Sequence, residues 1–211
     1  MNIIAHRGLW SDLSQKNRSS SLIEAIKKGF GVELDIRTFN GVIKISHEPA
    51  SALSDDLEVF LEQYASFGSD LHIAINIKED GLHSRLRPLL NKYSIENYFV
   101  FDMSFPDAYK FLQDNYIVYD RVSDFESGQF LMLAEGVWLD CFEENWLGLS
   151  RLKVLLEKYS VCLVSPELHG FEYEKCWQEI LGCDSVVNSK KFSICTDYPL
   201  EFLNYMSGVE L

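Results

Sequence analysis

The chain contains no C-x-x-C pair, and its five cysteines, Cys141, Cys162, Cys176, Cys183 and Cys195, are scattered and odd in number. That pattern argues against a disulfide framework and against a thiolate zinc site, so the thiols read as reduced core or surface groups. An apolar run of membrane-spanning length is also missing, and the first apolar strand begins within two residues of the start, which leaves no room for a secretory leader. A cytoplasmic protein without stable membrane insertion is expected. Basic runs are lacking as well. The 32 acids outnumber the 19 bases for a formal charge of −13, which makes nucleic acid and anionic membranes poor partners. No repeat, low-complexity segment or linker interrupts the sequence, so residues 1–211 are expected to form a single domain.

What is present is an ordinary globular composition, 47% hydrophobic and 24% charged over 211 residues, enough for one self-sufficient core. The chemistry concentrates in residues 33–48, which read ELDIRTFNGVIKISHE. Side chains alternate across a strand, so Glu33, Asp35 and Arg37 share one face while Val32, Leu34 and Ile36 share the other. Asn40-Gly41 is a tight-turn pair, and Val42 to Ser46 then returns beside the strand and delivers His47 near the carboxylates. Upstream, the apolar Ile3-Ile4-Ala5 stops abruptly in His6-Arg7-Gly8, the kind of strand end where active-site loops begin on an α/β scaffold.

The remainder alternates between strand and helix patterns. Ser19-Ser20-Ser21 are candidate N-caps for a helix from Leu22 to Lys28 that Gly29 closes. Ser54-Asp55-Asp56 opens a helix through Tyr64, and in the strand from Leu71 to Lys78 the residues Asn76 and Lys78 lie opposite Ile73, Ile75 and Ile77. Helices are expected over 82–93, 106–113, 150–159 and 173–181. Strands are expected over 98–101, ending in Asp102; over 116–119, ending in Asp120-Arg121; and over 136–139, ending in Asp140. The strand 161–164 runs into Ser165-Pro166-Glu167, and a last strand group covers 185–195. Alternation of this kind predicts a parallel sheet of close to eight strands wrapped by helices.

Taken together, His6-Arg7-Gly8, Asn17, Glu33-Leu34-Asp35-Ile36, Gly41 and His47 resemble the glycerophosphodiester phosphodiesterases, within the wider group of phospholipase C-like phosphodiesterases. The tail Ile194-Cys195-Thr196-Asp197-Tyr198-Pro199 looks like that family's closing strand and turn. The resemblance is tight over residues 3–48, clear again near 73–78 and 194–199, and weak between. It departs from the family in two places. Gln15-Lys16-Asn17 stands where relatives usually carry Pro-Glu-Asn, and Asn76 stands where they typically have a metal-binding carboxylate, while the substrate-facing lysine is kept as Lys78.

The family and the alternation together imply a compact (β/α)8 TIM barrel, with chemistry at the carboxyl ends of the strands. By the resemblance, Glu33, Asp35 and Asn76 would hold one divalent ion, Mg²⁺ or Ca²⁺, and an amide in place of an acid predicts weaker metal affinity. Arg7, Lys78 and Arg121 would supply the positive charge that a phosphodiester needs on so acidic a protein. His6 and His47 would share the acid and base duties, since imidazole titrates near neutrality. Asp102, Asp140, Glu167, His169 and Trp10, with Phe142, are candidates for a substrate pocket. The implied reaction is hydrolysis of a small-molecule glycerophosphodiester to glycerol phosphate and an alcohol. Competing readings are another polyol-phosphate or surface-polysaccharide linkage, a cyclic-phosphate product, a weakly active barrel that binds without turnover, and an unrelated metal-dependent sugar isomerase.

Overall fold

Strands that carry apolar side chains on both faces must be covered on both faces, and this requirement shapes the protein. The computed structural model describes residues 1–67, 70–143 and 148–208. Their contacts form two compact units, one spanning Ala5–Val118 and the other made of Met1–Ile4 with the chain from Tyr119 onward.

To the first unit, β1 (Asn2–His6) contributes Ala5 and His6. Helix α1 (Ser19–Lys27) buries Leu22, Ile23, Ala25 and Ile26 on one stripe and closes at Gly29, whose φ is +87°. The three serines lie inside the helix rather than capping it. Arg18 occupies the cap position, and the orphan N–H of Ser19 donates to Asp55 Oδ2 at 2.7 Å. Strand β2 (Gly31–Phe39) turns at Asn40-Gly41, both at positive φ (50° and 81°), into the antiparallel β3 (Val42–Ile45). The expected helix start at Ser54 is displaced, because Asp55 and Asp56 pair with β3 as β4 (Asp55–Asp56) and α2 begins at Leu57 (Leu57–Ser66). On its other side β2 runs parallel to β5 (Ile73–Ile77), with Asp35 opposite Asn76. After α3 (His83–Lys92), β6 (Tyr98–Phe101) pairs parallel with β5, and α4 (Phe105–Gln113) follows.

The second unit repeats the arrangement. Strands β7 (Tyr119–Val122) and β8 (Gly136–Leu139) pair parallel, and α5 (Leu149–Lys158) leads to β9 (Ser160–Val164), which pairs with β8. Helices α6 (Glu174–Leu181) and α7 (Asp184–Val187) precede β10 (Phe192–Thr196), parallel to β9, and α8 (Pro199–Met206) follows. Two expectations are corrected here. The strand foreseen at 116–119 starts at Tyr119 and runs through Asp120 and Arg121, and the group foreseen at 185–195 divides into a helical turn and β10. Trp177 organises the core of this unit, fully buried with its ring 4.9 Å from Phe202 and 4.3 Å from Tyr173. The protein is thus a mixed α/β fold with parallel pairing and alternating β and α elements. All five cysteines are buried and none forms a disulfide, and among the described residues no helix is long and apolar enough to cross a membrane.

Candidate active site

Backbone geometry at the end of β1 places the first functional groups. Arg7 and Gly8 both adopt positive φ, 58° and 90°. A Cβ on Gly8 would meet the backbone of Ser21 and Leu22 at 2.7 Å, so only glycine fits where the chain crosses α1. The turn brings the Arg7 N–H to Glu33 of β2, where it donates to the backbone oxygen at 3.0 Å and to Oε2 at 3.2 Å. His6, immediately before, holds its Nε2 3.8 Å from Glu33 Oε2, and its carbonyl accepts Trp10 Nε1–H at 3.1 Å.

Asp35 lies at the centre of the cluster and is wholly buried. Its Oδ2 accepts Asn17 Nδ2–H at 2.7 Å and lies 2.9 Å from Arg7 Nε, an ion pair without hydrogen-bond alignment. Lys78 approaches the other oxygen, Oδ1, at 3.6 Å, and pairs at 2.9 Å with Asp102 Oδ2 beyond the end of β6. Asn76, the in-register neighbour of Asp35, donates its amide to the Glu33 carboxylate. Two buried oxygens, Asp35 Oδ1 and Asn76 Oδ1, then have no hydrogen-bond partner. A buried oxygen without a hydrogen-bond donor is costly, and at Asp35 Oδ1 the Lys78 ammonium at 3.6 Å offsets part of that cost.

Burial, reinforced by the charge of Asp35, pushes the Glu33 carboxyl up to about 8, against the opposing pull of Arg7, Lys78 and Asn76. Burial thus favours the neutral form of Glu33 relative to a solvated carboxyl. Among the described residues no group of three His, Cys, Asp or Glu side chains is arranged to hold a metal ion. The candidate set remains two carboxylates and one amide.

His47 stands apart from the buried cluster. It follows β3 with 42% of its side chain exposed; Nδ1 contacts Glu48 Oε1 at 2.9 Å, and its carbonyl accepts from Arg37 Nε at 2.9 Å. It shares with Arg7 a cavity of about 440 Å³, and this is how the hairpin brings it toward the site.

The remaining candidates belong to the second unit. Asp140, after β8, accepts the Cys141 N–H at 2.9 Å and contacts His169 Nε2 at 2.7 Å, and this hydrogen bond holds the His169 imidazole above its ordinary range. The His169 ring lies 5.0 Å from Phe142, over which Arg121 extends at 5.6 Å. Arg121 also faces Glu126 at 3.7 Å. Glu167 is absorbed in internal hydrogen bonds from Ser165 Oγ, Thr196 Oγ1 and the Asp197 N–H, which define a structural bracket between β9 and β10. Burial raises its carboxyl nonetheless.

Sequence reasoning carried Asn17 in the motif but gave it no role in the site. Asn17 at φ +60° is 7% exposed and bonded to Asp35, a placement that only the folded loop reveals. Asp124, which accepts the N–H groups of Phe142 and Glu143 at 3.1 and 2.7 Å and lies near His169, was also missed.

Arg7 and Lys78 thus bracket a buried carboxylate cluster at the strand ends of an alternating α/β protein. The fold is that of solved glycerophosphoryl diester phosphodiesterases. A phosphodiesterase from Oleispira antarctica, solved with its product sn-glycerol 3-phosphate, aligns with a TM-score of 0.70 at 15% identity, covering 98% of this chain and 97% of that one. A glycerophosphoryl diester phosphodiesterase from Parabacteroides distasonis aligns with a TM-score of 0.68 at 12% identity, covering 100% of this chain and 87% of the other. No protein-family profile and no curated protein matches the sequence. At these identities the likeness is one of fold, and it agrees with the resemblance read from the motifs.

Proposed function

We propose that the protein is a metal-dependent phosphodiesterase that hydrolyses glycerophosphodiesters to glycerol phosphate and an alcohol, on a compact (β/α)8 barrel. The observation that carries this reading is the convergence of Arg7 and Lys78 on the buried Asp35, whose Oδ1, like the neighbouring Asn76 Oδ1, accepts no hydrogen bond. The fold shared with a phosphodiesterase that holds glycerol 3-phosphate as product supports it.

The donor set fits a hard divalent cation. Glu33 and Asp35 offer carboxylate oxygens and Asn76 an amide oxygen, and Asp35 Oδ1 and Asn76 Oδ1, which accept no hydrogen bond, belong to residues at paired positions on neighbouring strands. These three residues would hold Mg²⁺ or Ca²⁺. When bound, such an ion supplies positive charge to a non-bridging phosphate oxygen.

The protein's own groups account for the rest. Arg7, with its planar fork, and Lys78 provide fixed positive charge where the phosphoryl oxygens gain negative charge in the transition state. The Asp102 carboxylate orients the Lys78 ammonium at 2.9 Å. His6 and His47 divide the two proton transfers, one taking a proton from the attacking water and the other giving one to the departing alkoxide. Glu33 Oε2 lies 3.8 Å from His6 Nε2 and helps to orient the imidazole.

The test is release of glycerol phosphate from a panel of glycerophosphodiesters by chelator-stripped protein, with Mg²⁺, Ca²⁺ and Mn²⁺ restored separately. Activity that returns with one ion and is lost in Glu33→Ala, His6→Ala and His47→Ala is expected, each histidine change costing roughly 10²- to 10⁴-fold in kcat. A folded protein that turns over no substrate with any ion would refute the assignment.

A further inference from the structure

On the face of β2 that carries Glu33 and Asp35, the next residue is Arg37, half-buried and paired across the hairpin with Lys44. Its Nε–H reaches past the end of β3 and donates to the main-chain carbonyl of His47 at 2.9 Å. Among the described residues, the lining of the cavity that His47 shares with Arg7 does not include Arg37. The guanidinium thus meets His47 through its backbone rather than through its ring.

This bond falls where regular structure runs out. The ladder between β2 and β3 ends at Ile36 and Ile45, and the Ser46 N–H then donates to the Asp35 carbonyl at 2.8 Å. From Ser46 to Ser54 the chain forms neither helix nor strand. The His47 imidazole, 42% exposed, contacts Glu48 Oε1, whose own side chain is 83% exposed. A carboxylate so open to water holds a ring weakly. Arg37 is anchored better, on a strand paired with both β3 and β5. A donor on a rigid strand therefore fixes the His47 main chain, and with it the point from which the imidazole extends.

We propose that Arg37 is a positioning residue, whose Nε–H holds the His47 backbone so that the imidazole stands where proton transfer needs it. The inference rests on the phosphodiesterase reading and adds a residue that acts through His47 without touching substrate. A displacement of about 1 Å at a reacting group costs about 10²-fold in rate. The role requires a donor, not a charge. Glutamine carries its amide nitrogen the same number of bonds from Cα as the arginine Nε, so Arg37→Gln keeps the donor and removes the charge, while Arg37→Met removes both.

The experiment measures steady-state kinetics on the preferred glycerophosphodiester, with the ion that supports activity, for the native protein, Arg37→Gln and Arg37→Met, and for each in the His47→Ala background. Arg37→Met is expected to lower kcat roughly 10- to 100-fold with KM within about twofold. Arg37→Gln is expected to keep at least about a third of the native kcat. In the His47→Ala background Arg37→Met is expected to change kcat by less than about twofold, because no imidazole is left to position. Equal losses in the glutamine and methionine variants would assign the effect to charge, and a loss undiminished without the His47 ring would assign it to the hairpin as a whole; either result, or a native kcat in Arg37→Met, overturns the proposal. If the native protein turns over no diester, the phosphodiesterase reading falls and amide hydrogen exchange decides the positioning alone. The Ser46 N–H is then expected to exchange at least about tenfold faster in Arg37→Met than in the native protein or Arg37→Gln, and equal rates in all three overturn it.

Discussion

Asn17 and Asp35, eighteen residues apart, clamp each other: Asn17 Nδ2–H donates to Asp35 Oδ2 at 2.7 Å, and the Asp35 backbone N–H donates to Asn17 Oδ1 at 3.2 Å. The clamp ties the loop after β1 to the middle of β2 and satisfies a buried carboxylate that would otherwise depend on Arg7 alone at that oxygen. Asn17→Gly keeps the left-handed backbone and removes both bonds, at an expected cost of about 1–3 kcal/mol. Asn17→Ala adds strain at φ +60° and is expected to cost roughly 1 kcal/mol more. Urea unfolding measures both. A glycine variant within about 0.5 kcal/mol of the native protein would show that the clamp contributes little to stability.

Gly8 and Gly29 share nearly the same backbone angle, φ +90° and +87°, but differ in surroundings. A Cβ on Gly29 meets nothing within 4 Å, while on Gly8 it meets backbone at 2.7 Å. Gly29→Ala is expected to cost about 1 kcal/mol from conformation alone. Gly8→Ala adds a clash with backbone that cannot rotate away, for a total of at least about 2 kcal/mol, and displaces Arg7. Equal costs in denaturant unfolding would remove the steric argument.

His169 has its imidazole raised by the hydrogen bond to Asp140, with Asp124 adding to the effect and Arg121 and burial opposing it. A histidine whose folded pKa exceeds its unfolded value contributes stability that is fully present below the unfolded pKa of about 6.5 and is lost as pH rises through the folded pKa. NMR titration of the ring protons is expected to place the His169 midpoint above that of an exposed imidazole, and Asp140→Asn is expected to lower it. Identical midpoints in the two proteins would contradict the pairing.

Asn76→Asp converts the amide beside Glu33 and Asp35 into a third carboxylate. Without a cation the crowded acids repel, and the stripped variant is expected to unfold at a lower temperature than the native protein. Added Mg²⁺ or Ca²⁺ is expected to reverse the order, with affinity increased about tenfold or more as the ligand charge rises. Thermal unfolding with and without each ion reads both effects. A variant that neither loses stability when stripped nor gains more from the ion would place the cation elsewhere.

The hairpin and the paired carboxylates were legible because each depends on local rules. Asn40-Gly41 supports the positive φ that a tight hairpin needs, and period-two alternation sets Glu33 and Asp35 on one face whatever surrounds them. The same alternation put Asn76 and Lys78 on one face of β5, and the parallel register then set Asn76 beside Asp35. Local rules failed where distant groups compete. Ser19 to Ser21 carry the side chains of a helix cap, but the carboxylate of Asp55 reaches the free N–H first, and Asp55 is available because it pairs with β3 instead of opening α2. The hydrogen bonds that Glu167 accepts from Ser165, Thr196 and the Asp197 N–H likewise come from residues that no local pattern links to it.

By itself, then, the sequence determined the alternating α/β class and the acid pair on one strand face, which follow from periodicity and short-range spacing, while the likeness of fold to phosphodiesterases was read from a motif resemblance that the solved structures match in fold. Tertiary structure alone decided how those groups are charged and partnered. Burial and the nearby Asp35 push Glu33 toward neutrality, Arg7 and Lys78 divide the two oxygens of Asp35, and Lys16 turns into a cavity rather than into bulk water. Protonation, ion pairing and local field depend on distance and dielectric between residues far apart in the chain, and these quantities exist only once the chain has folded.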